Sequence, residues 1–506
     1  MERKRIIGVD LIPMRTDGSN GGVKLAITEF LKSIQVVKDD QVGFIYFCNS
    51  QTQHEIRNFC RADDLTICVF KLDNVEPVSA DLLTENDFDR IGLQENLMTE
   101  FSIDLLYAPF GNTDLNYPGV PLIATIVDLL HKDYPHSLSN DEIHHREKFI
   151  SNIIQRSDLI EVNSSYTKSR LVHHYGVEGK RIFKSYHAVH KRLSNKISSN
   201  ISPIDYPYFF YPANFWVHKN HEVLLIAFYN YLNNVNSQPW KLVLTGHECE
   251  RKDKIIETSK ALGLSNSVVF LDYVSDRVLE NYWRAASALL FPSLHEGFGI
   301  PLVEAMHYRV PIIAHAGCSI PEVGQDACRY CNCKNPLELA STMQDITENK
   351  ALCSDLVTRG TNRLLDFQFD TIAESLGDKL IEYSYKRSGH LSQLGISTDG
   401  WIGKKAFFNL PENLGRSNIN MELAPIPVER FISLFLNDIP FGSYDLPIGE
   451  KLKFSFTAFL NGEILRIESN EVSRLNSEDP RHFGARVSSI TVKPEQKPKI
   501  NIWNAA

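Results

Sequence analysis

The sequence predicts an α/β chain: two successive units of parallel strands and helices, then a smaller all-β module. Three observations carry this. Short apolar runs alternate with helical-period segments up to about residue 385, the pattern restarts near residue 207, and from about residue 396 it gives way to strict apolar–polar alternation. With 506 residues, 43% hydrophobic and 23% charged, the composition is globular and the length suits about three domains. A formal charge of -9 argues against a general nucleic-acid binder, which needs a basic face, but leaves room for one local anion site. No apolar run approaches the ~20 residues that span a bilayer. The basic start Met1-Glu2-Arg3-Lys4-Arg5 reaches Asp10 too soon for a secretory signal, and the nine cysteines read as reduced thiols, so a cytoplasmic chain is expected.

The first unit opens on the apolar run Ile6–Asp10, a loop of turn formers from Asp17 to Gly22, and helical spacing from Val23 to Ile34. Strands are expected at Val42–Phe47, Leu65–Phe70, Leu105–Tyr107, Leu122–Val127 and Leu159–Val162. The second unit runs from Tyr208–Tyr211 through strands at Lys241–Leu244, Val268–Leu271, Ala288–Phe291, Pro311–Ala314 and Ala327–Tyr330. Expected boundaries are 1–205, 206–370, a crossover helix and linker over 371–395, and a sandwich-like module over 396–506. In that module Lys451–Leu460 alternates and meets Asn461-Gly462, a strong hairpin signal, with Glu463–Glu468 as the expected return strand.

Chemistry concentrates in three loops. In Phe291-Pro-Ser-Leu-His-Glu-Gly-Phe-Gly-Ile-Pro-Leu-Val-Glu304, a strand end leads through two glycines to a helix with Pro301 in its first turn. Glu296 and Glu304, eight residues apart, can face one ligand and accept from sugar hydroxyls. Glycines let a backbone approach closely, and helix-start amides favour an anion such as a diphosphate. The plain alternative is a surface helix with solvated glutamates. Lys219, in Trp216-Val-His-Lys-Asn220, could hold a departing phosphate as a point charge, or be an ordinary surface lysine. Asp128 and His131, after a first-unit strand, could orient or deprotonate a hydroxyl, though an Asp at a strand end often only caps a helix.

Together these pieces resemble the family 4 glycosyltransferases, retaining enzymes of the GT-B fold with two facing Rossmann-like domains, over about residues 1–386. Glu296 through Glu304 matches the family's Glu-x7-Glu element, supported by Phe270–Asp276, by Val310-Pro311 and by Ile320-Pro-Glu-Val323. The His218-Lys219-Asn220 and Asp128…Tyr134-Pro135 pieces look like the branch rich in mannosyltransferases of bacterial surface glycans. The resemblance implies transfer of a hexose from a nucleotide-diphosphate sugar to a glycan or lipid-linked glycan. The nucleotide sugar is then a co-substrate, and neither a cofactor nor a metal is needed. Glu296 would contact the donor sugar, Glu304 the ribose, and Lys219 with Asn220 the diphosphate. Gly297, Phe298, Gly299, Ile300, Pro301 and Leu302 would line the sugar–diphosphate site, and Tyr273 and Val274 the base. Gly21 and Gly22 would let the first loop close over donor or acceptor. A lipid-linked acceptor would bring the chain to the inner face of a membrane, and the β module leaves room for acceptor binding or a homo-oligomer. An epimerase or phosphorylase on the same fold, or a glycan binder with a degenerate core, are the competing readings.

Three positions depart from the family pattern. Asn214 or Phe215 stands where many relatives have Arg, Val127 where many have His, and Arg309 where Gly is usual. The phosphate clamp is thus one cation short by sequence, and His131 is only a candidate substitute for the missing first-domain His. Asp87-Phe88-Asp89 matches the Asp-x-Asp string of metal-dependent transferases but lies in a polar stretch, not at a strand end. Cys328, Cys331 and Cys333, with Cys318 or His315, offer a single cluster where structural zinc usually has paired ones. His144-His145 and His173-His174 read as surface pairs, and Trp401 and Trp503 as either sandwich core or a glycan-stacking groove.

Overall fold

In the computed structural model the described residues are 4–16, 20–37, 41–61, 63–69, 97–98, 100–115, 117, 119–187, 204–247, 249–272, 274–386, 388, 393–396, 400–411, 414–460, 462–472, 484–495 and 498–504. Asp87-Phe88-Asp89, Tyr273 and Asn461 lie outside them.

The first sheet contains β1 (Arg5–Asp10), β2 (Val42–Cys48), β3 (Leu65–Cys68), β4 (Leu105–Ala108), β5 (Leu122–Ile126), β6 (Leu159–Val162) and β7 (Ile182–Lys184). Their order is β3-β2-β1-β4-β5-β6-β7, and these strands pair in parallel throughout. β4, β5 and β6 are buried at all positions, as expected of strands covered on both faces. The second sheet holds β8 (Tyr208–Pro212), β9 (Lys241–Thr245), β10 (Val268–Leu271), β11 (Ala288–Phe291), β12 (Ile312–His315) and β13 (Cys328–Cys331). Its order is β10-β9-β8-β11-β12-β13, again parallel. In each sheet the strand order reverses beside the first strand, between β1 and β4 and between β8 and β11. Loops that leave the carboxyl ends of two such strands diverge and open a ligand crevice. The loops after β8 and β11 carry Lys219 and Glu296.

The chain returns to the first domain at its end. The helix Phe369–Ser384 places Ala373, Leu376 and Leu380 in the core that also holds Ile7, Val9, Leu31 and Ile34. The helix after β1 begins at Gly21, so Gly21 and Gly22 form its first turn rather than a free loop. Glycine has the lowest barrier to either backbone state, and here the helix extended two residues towards the turn formers.

Among the described residues the last module is antiparallel, with nine strands joined in one sheet of order β18-β17-β20-β15-β21-β16-β19, β14 lying on β15 and β22 on β21: β14 (Gln393–Ile396), β15 (Trp401–Asn409), β16 (Gly415–Leu423), β17 (Arg430–Leu436), β18 (Ile439–Leu446), β19 (Leu452–Leu460), β20 (Ile464–Ser469), β21 (Ala485–Pro494) and β22 (Ile500–Asn504). One correction concerns Asn461-Gly462. β19 and β20 do not pair: β19 lies on β16, whereas β20 lies between β15 and β17. The chain therefore passes from the edge strand β19 to β20, four places away in the sheet order. Leu452, Phe454, Phe456 and Ala458 do share one face and pack on the module's core, so the alternation marks the strand's inner face but not its partner. Trp503 is in that core beside Phe408, and Trp401 lies half-buried under Arg486.

Candidate functional site

The crevice of the second domain is built from two loops that brace one another. After β8, Trp216–Asn220 makes a single tight turn, and Asn220 at φ 65° starts the helix His221–Asn234. The Asn220 amide donates to the carbonyls of Pro292 (3.3 Å) and Cys333 (2.8 Å), tying this turn to the loop after β11. In that loop the Leu294 amide donates to the His218 carbonyl at 2.8 Å. The Ser319 hydroxyl faces the Glu296 carbonyl at 2.9 Å and the Phe298 carbonyl at 3.2 Å. Gly299, at φ 97°, precedes the helix Ile300–His307, with Pro301 at its start. Only glycine holds that conformation without strain.

This bracing brings Lys219 and Glu296 together: Nζ lies 2.5 Å from Oε1, with each side chain 13% exposed. Both groups keep a solvent-facing edge, and Glu296 lies four residues ahead of the helix Ile300–His307. Glu304 is buried further along the same helix, in its second turn and not the first as its spacing suggested, because the helix begins only at Ile300. Val274 is half-buried after β10. Phe298 is buried, its ring against Tyr186, His187 and Phe367, so its side chain holds the domain boundary while its backbone faces the loop.

The first domain meets this wall directly. A Cβ built on Gly297 would stand 1.7 Å from the Val127 carbonyl oxygen and 3.2 Å from the Asp128 Cβ. Asp128 thus sits against the residue that follows Glu296. Its Oδ1 accepts from the Leu130 amide at 3.0 Å and pairs with Arg146 Nη1 at 3.3 Å. His131 is elsewhere. Its side chain is fully buried, with Nε2 2.8 Å from the Tyr175 hydroxyl and 3.2 Å from Glu147 Oε2. Burial outweighs the Glu147 charge and holds its pKa below the usual imidazole value. The structure therefore places Asp128 against Gly297, next to Glu296, and turns His131 into the first domain's interior.

Two inter-domain contacts were not legible in the sequence. Glu322, from the helix Ile320–Gly324, accepts from the amides of Ser165 (2.8 Å) and Tyr166 (2.9 Å), which open the first-domain helix Ser165–Tyr175. Tyr186 and Lys184 also reach its carboxylate. Burial raises the Glu322 pKa, but these donors outweigh it and the net shift is downward. Asp133 is the second hub, with Arg170 at 2.7 Å, His174 at 2.9 Å, the Tyr166 hydroxyl at 3.0 Å and His295 of the second domain at 3.4 Å. Burial opposes ionisation of Asp133, yet the four donors hold its carboxyl far below the usual range. His174 is thus a working member of the boundary and not simply a surface residue; His144, His145 and His173 are exposed.

The cysteine cluster is compact but incomplete. Cys331 and Cys333 have sulfurs 3.6 Å apart, and the Cys333 amide donates to His315 Nδ1. Among the described residues no group of three or more His, Cys, Asp or Glu has the geometry of a metal site. Likewise, no described helix is long and apolar enough to cross a membrane.

Comparison with known proteins agrees with this geometry. Residues 194–363 match the family model "Glycosyl transferases group 1". The chain is 28% identical over 226 residues to the O-antigen chain mannosyltransferase RfbU of Salmonella typhimurium, covering 43% of this chain and 58% of that protein. It is 24% identical over 212 residues to the Escherichia coli O-antigen chain mannosyltransferase B, covering 40% and 55%. The match thus spans just over half the length of these relatives. Among solved structures, a glycosyltransferase from Rickettsia africae superposes with a TM-score of 0.60 at 12% identity, over 76% of this chain and all of that one. Anabaena HepE in complex with UDP and glucose gives 0.56 at 17% identity, over 75% and 100%. Residues 194–363 thus match a group 1 glycosyltransferase model, and the chain has the two-domain GT-B fold followed by an all-β module.

Proposed function

We propose that the chain is a retaining, metal-independent glycosyltransferase that moves a hexose, with mannose the leading candidate, from a nucleotide-diphosphate sugar to a hydroxyl of a glycan or lipid-linked glycan. The observation that carries this is the Lys219–Glu296 pair in the loops that lead to the helix Ile300–His307, with Asp128 of the other domain packed against Gly297. The similarity to two O-antigen mannosyltransferases supports the choice of sugar and the setting of surface-polysaccharide synthesis.

The chemistry follows from charge. The bond from the anomeric carbon to the diphosphate oxygen breaks, and negative charge grows on the leaving phosphate. Lys219 and the amides at the helix start would stabilise it without a metal. Glu296 would grip sugar hydroxyls and the developing positive charge at the ring. The acceptor hydroxyl would attack from the face the phosphate leaves, passing its proton to a phosphate oxygen, while Asp128 orients it. The close approach of Gly297 to Val127 would let the two walls of the cleft meet over a bound donor and exclude water, limiting its hydrolysis. Incubation of the full chain with GDP-mannose, UDP-glucose and related donors tests this. The expected result is acceptor-dependent release of nucleoside diphosphate, with the donor's anomeric configuration kept in the product by NMR. Inversion, or turnover without an acceptor into an epimer, would overturn it.

A further inference from the structure

The donor site has one cation too few on its own domain. Lys219 is the cation of the second-domain wall, and Asn214 and Phe215 stand on the same loop where a second would help. The first domain supplies a candidate. Arg146 lies on the helix Asn140–Arg156, whose start is closed by Ser139 and Glu142, so the neighbouring carboxylate of Glu142 is engaged in capping. Among the described residues the Arg146 guanidinium makes one ion pair, from Nη1 to Asp128 Oδ1 at 3.3 Å, and its side chain stays 37% exposed. Asp128 in turn stands against Gly297, next to Glu296. The cleft therefore holds a row of four charges, Lys219, Glu296, Asp128 and Arg146, in which the two cations flank the two carboxylates and the signs sum to zero.

We propose that Arg146 is the second cation of the diphosphate site, delivered across the cleft from the facing domain when the two domains close. This rests on the donor reading given above. The planar fork leaves most N–H donors of Arg146 uncommitted by the single bond to Asp128, and that geometry matches two phosphate oxygens better than an ammonium does. The positive field of Arg146 already reaches the opposite wall: it adds to burial and Lys219 in keeping His218 neutral. Closure and diphosphate binding are then one event, because the diphosphate meets both cations only when both domains contribute. Asp128 parks the guanidinium until the anion arrives.

Isothermal titration with GDP, UDP and the corresponding nucleosides tests the assignment on the full chain. Arg146→Gln is expected to weaken the diphosphate that binds wild type by about 10-fold and leave the nucleoside unchanged, with Arg146→Lys recovering part of the loss. Asp128→Asn keeps the acceptor for the Leu130 amide but removes the competing charge, and is expected to tighten the diphosphate at least about 3-fold. Wild-type affinity in Arg146→Gln overturns the proposal and leaves the donor reading standing. Should Arg146→Gln fail to fold, Asp128→Asn decides, and unchanged or weaker binding overturns it. If wild type binds neither diphosphate, the donor reading fails and takes this one with it.

Discussion

Lys219 Nζ and Glu296 Oε1 lie 2.5 Å apart, and the two residues come from loops on either side of the point where strand order reverses. The pair leaves each group held in place and half-neutralised before a ligand arrives. Lys219→Ala should weaken nucleoside diphosphate binding by about 10- to 100-fold, the range for losing a bond between charged groups, and spare the nucleoside. Titration calorimetry on both ligands checks this.

Glu322 caps a helix of the other domain. Removing it leaves the Ser165 and Tyr166 amides without that acceptor at a positive helix end, a loss on the order of 1–2 kcal/mol. Glu322→Ala should speed hydrogen exchange at those two amides and lower kcat/KM about 5- to 30-fold, with little change in the melting temperature. An unaltered exchange rate would mean the domains are held together elsewhere.

Gly297 has no room for a methyl group. A Cβ there meets the Val127 carbonyl at 1.7 Å, a contact between domains and not within one. Gly297→Ala should therefore hold the cleft open: transfer should fall at least about 100-fold, while donor-domain stability changes by less than about 1 kcal/mol. Small-angle scattering with a donor present would show the open form. A wild-type scattering curve would exclude this account.

Asp10 ends β1 and is fully buried, and burial pushes its pKa up to about 7. The folded state then holds a proton that the unfolded chain releases near pH 4. Stability from this group is present in full below that pH and is lost as pH rises to about 7, after which it is constant. Asp10→Asn should flatten that decline and raise stability at pH 8 by on the order of a few kcal/mol, read from urea midpoints across pH 4–8.

What the sequence revealed depends on the range of the interaction. Parallel strands such as β5 and β11 are buried apolar runs, and their side chains alone announce them. The Glu296–Glu304 loop was legible because glycine and proline mark its backbone. Strand pairing was not: Asn461-Gly462 gives a local turn signal, whereas the partners are strands distant in the chain, β16 for β19 and β15 and β17 for β20. The inter-domain contacts were hidden for the same reason. Glu322 looks like any helix-start carboxylate until Ser165, far away in the chain, supplies its donors. Arg146 and Asp133 likewise gain meaning only from Asp128 and His295.

The most direct measurement is a crystal structure of the chain soaked with a nucleotide-diphosphate sugar that it turns over. The account predicts a diphosphate at the start of the helix Ile300–His307, within hydrogen-bond distance of Lys219 Nζ, with Glu296 on the sugar hydroxyls. A nucleotide bound elsewhere, with Glu296 still paired to Lys219 and no anion at the helix start, would contradict it.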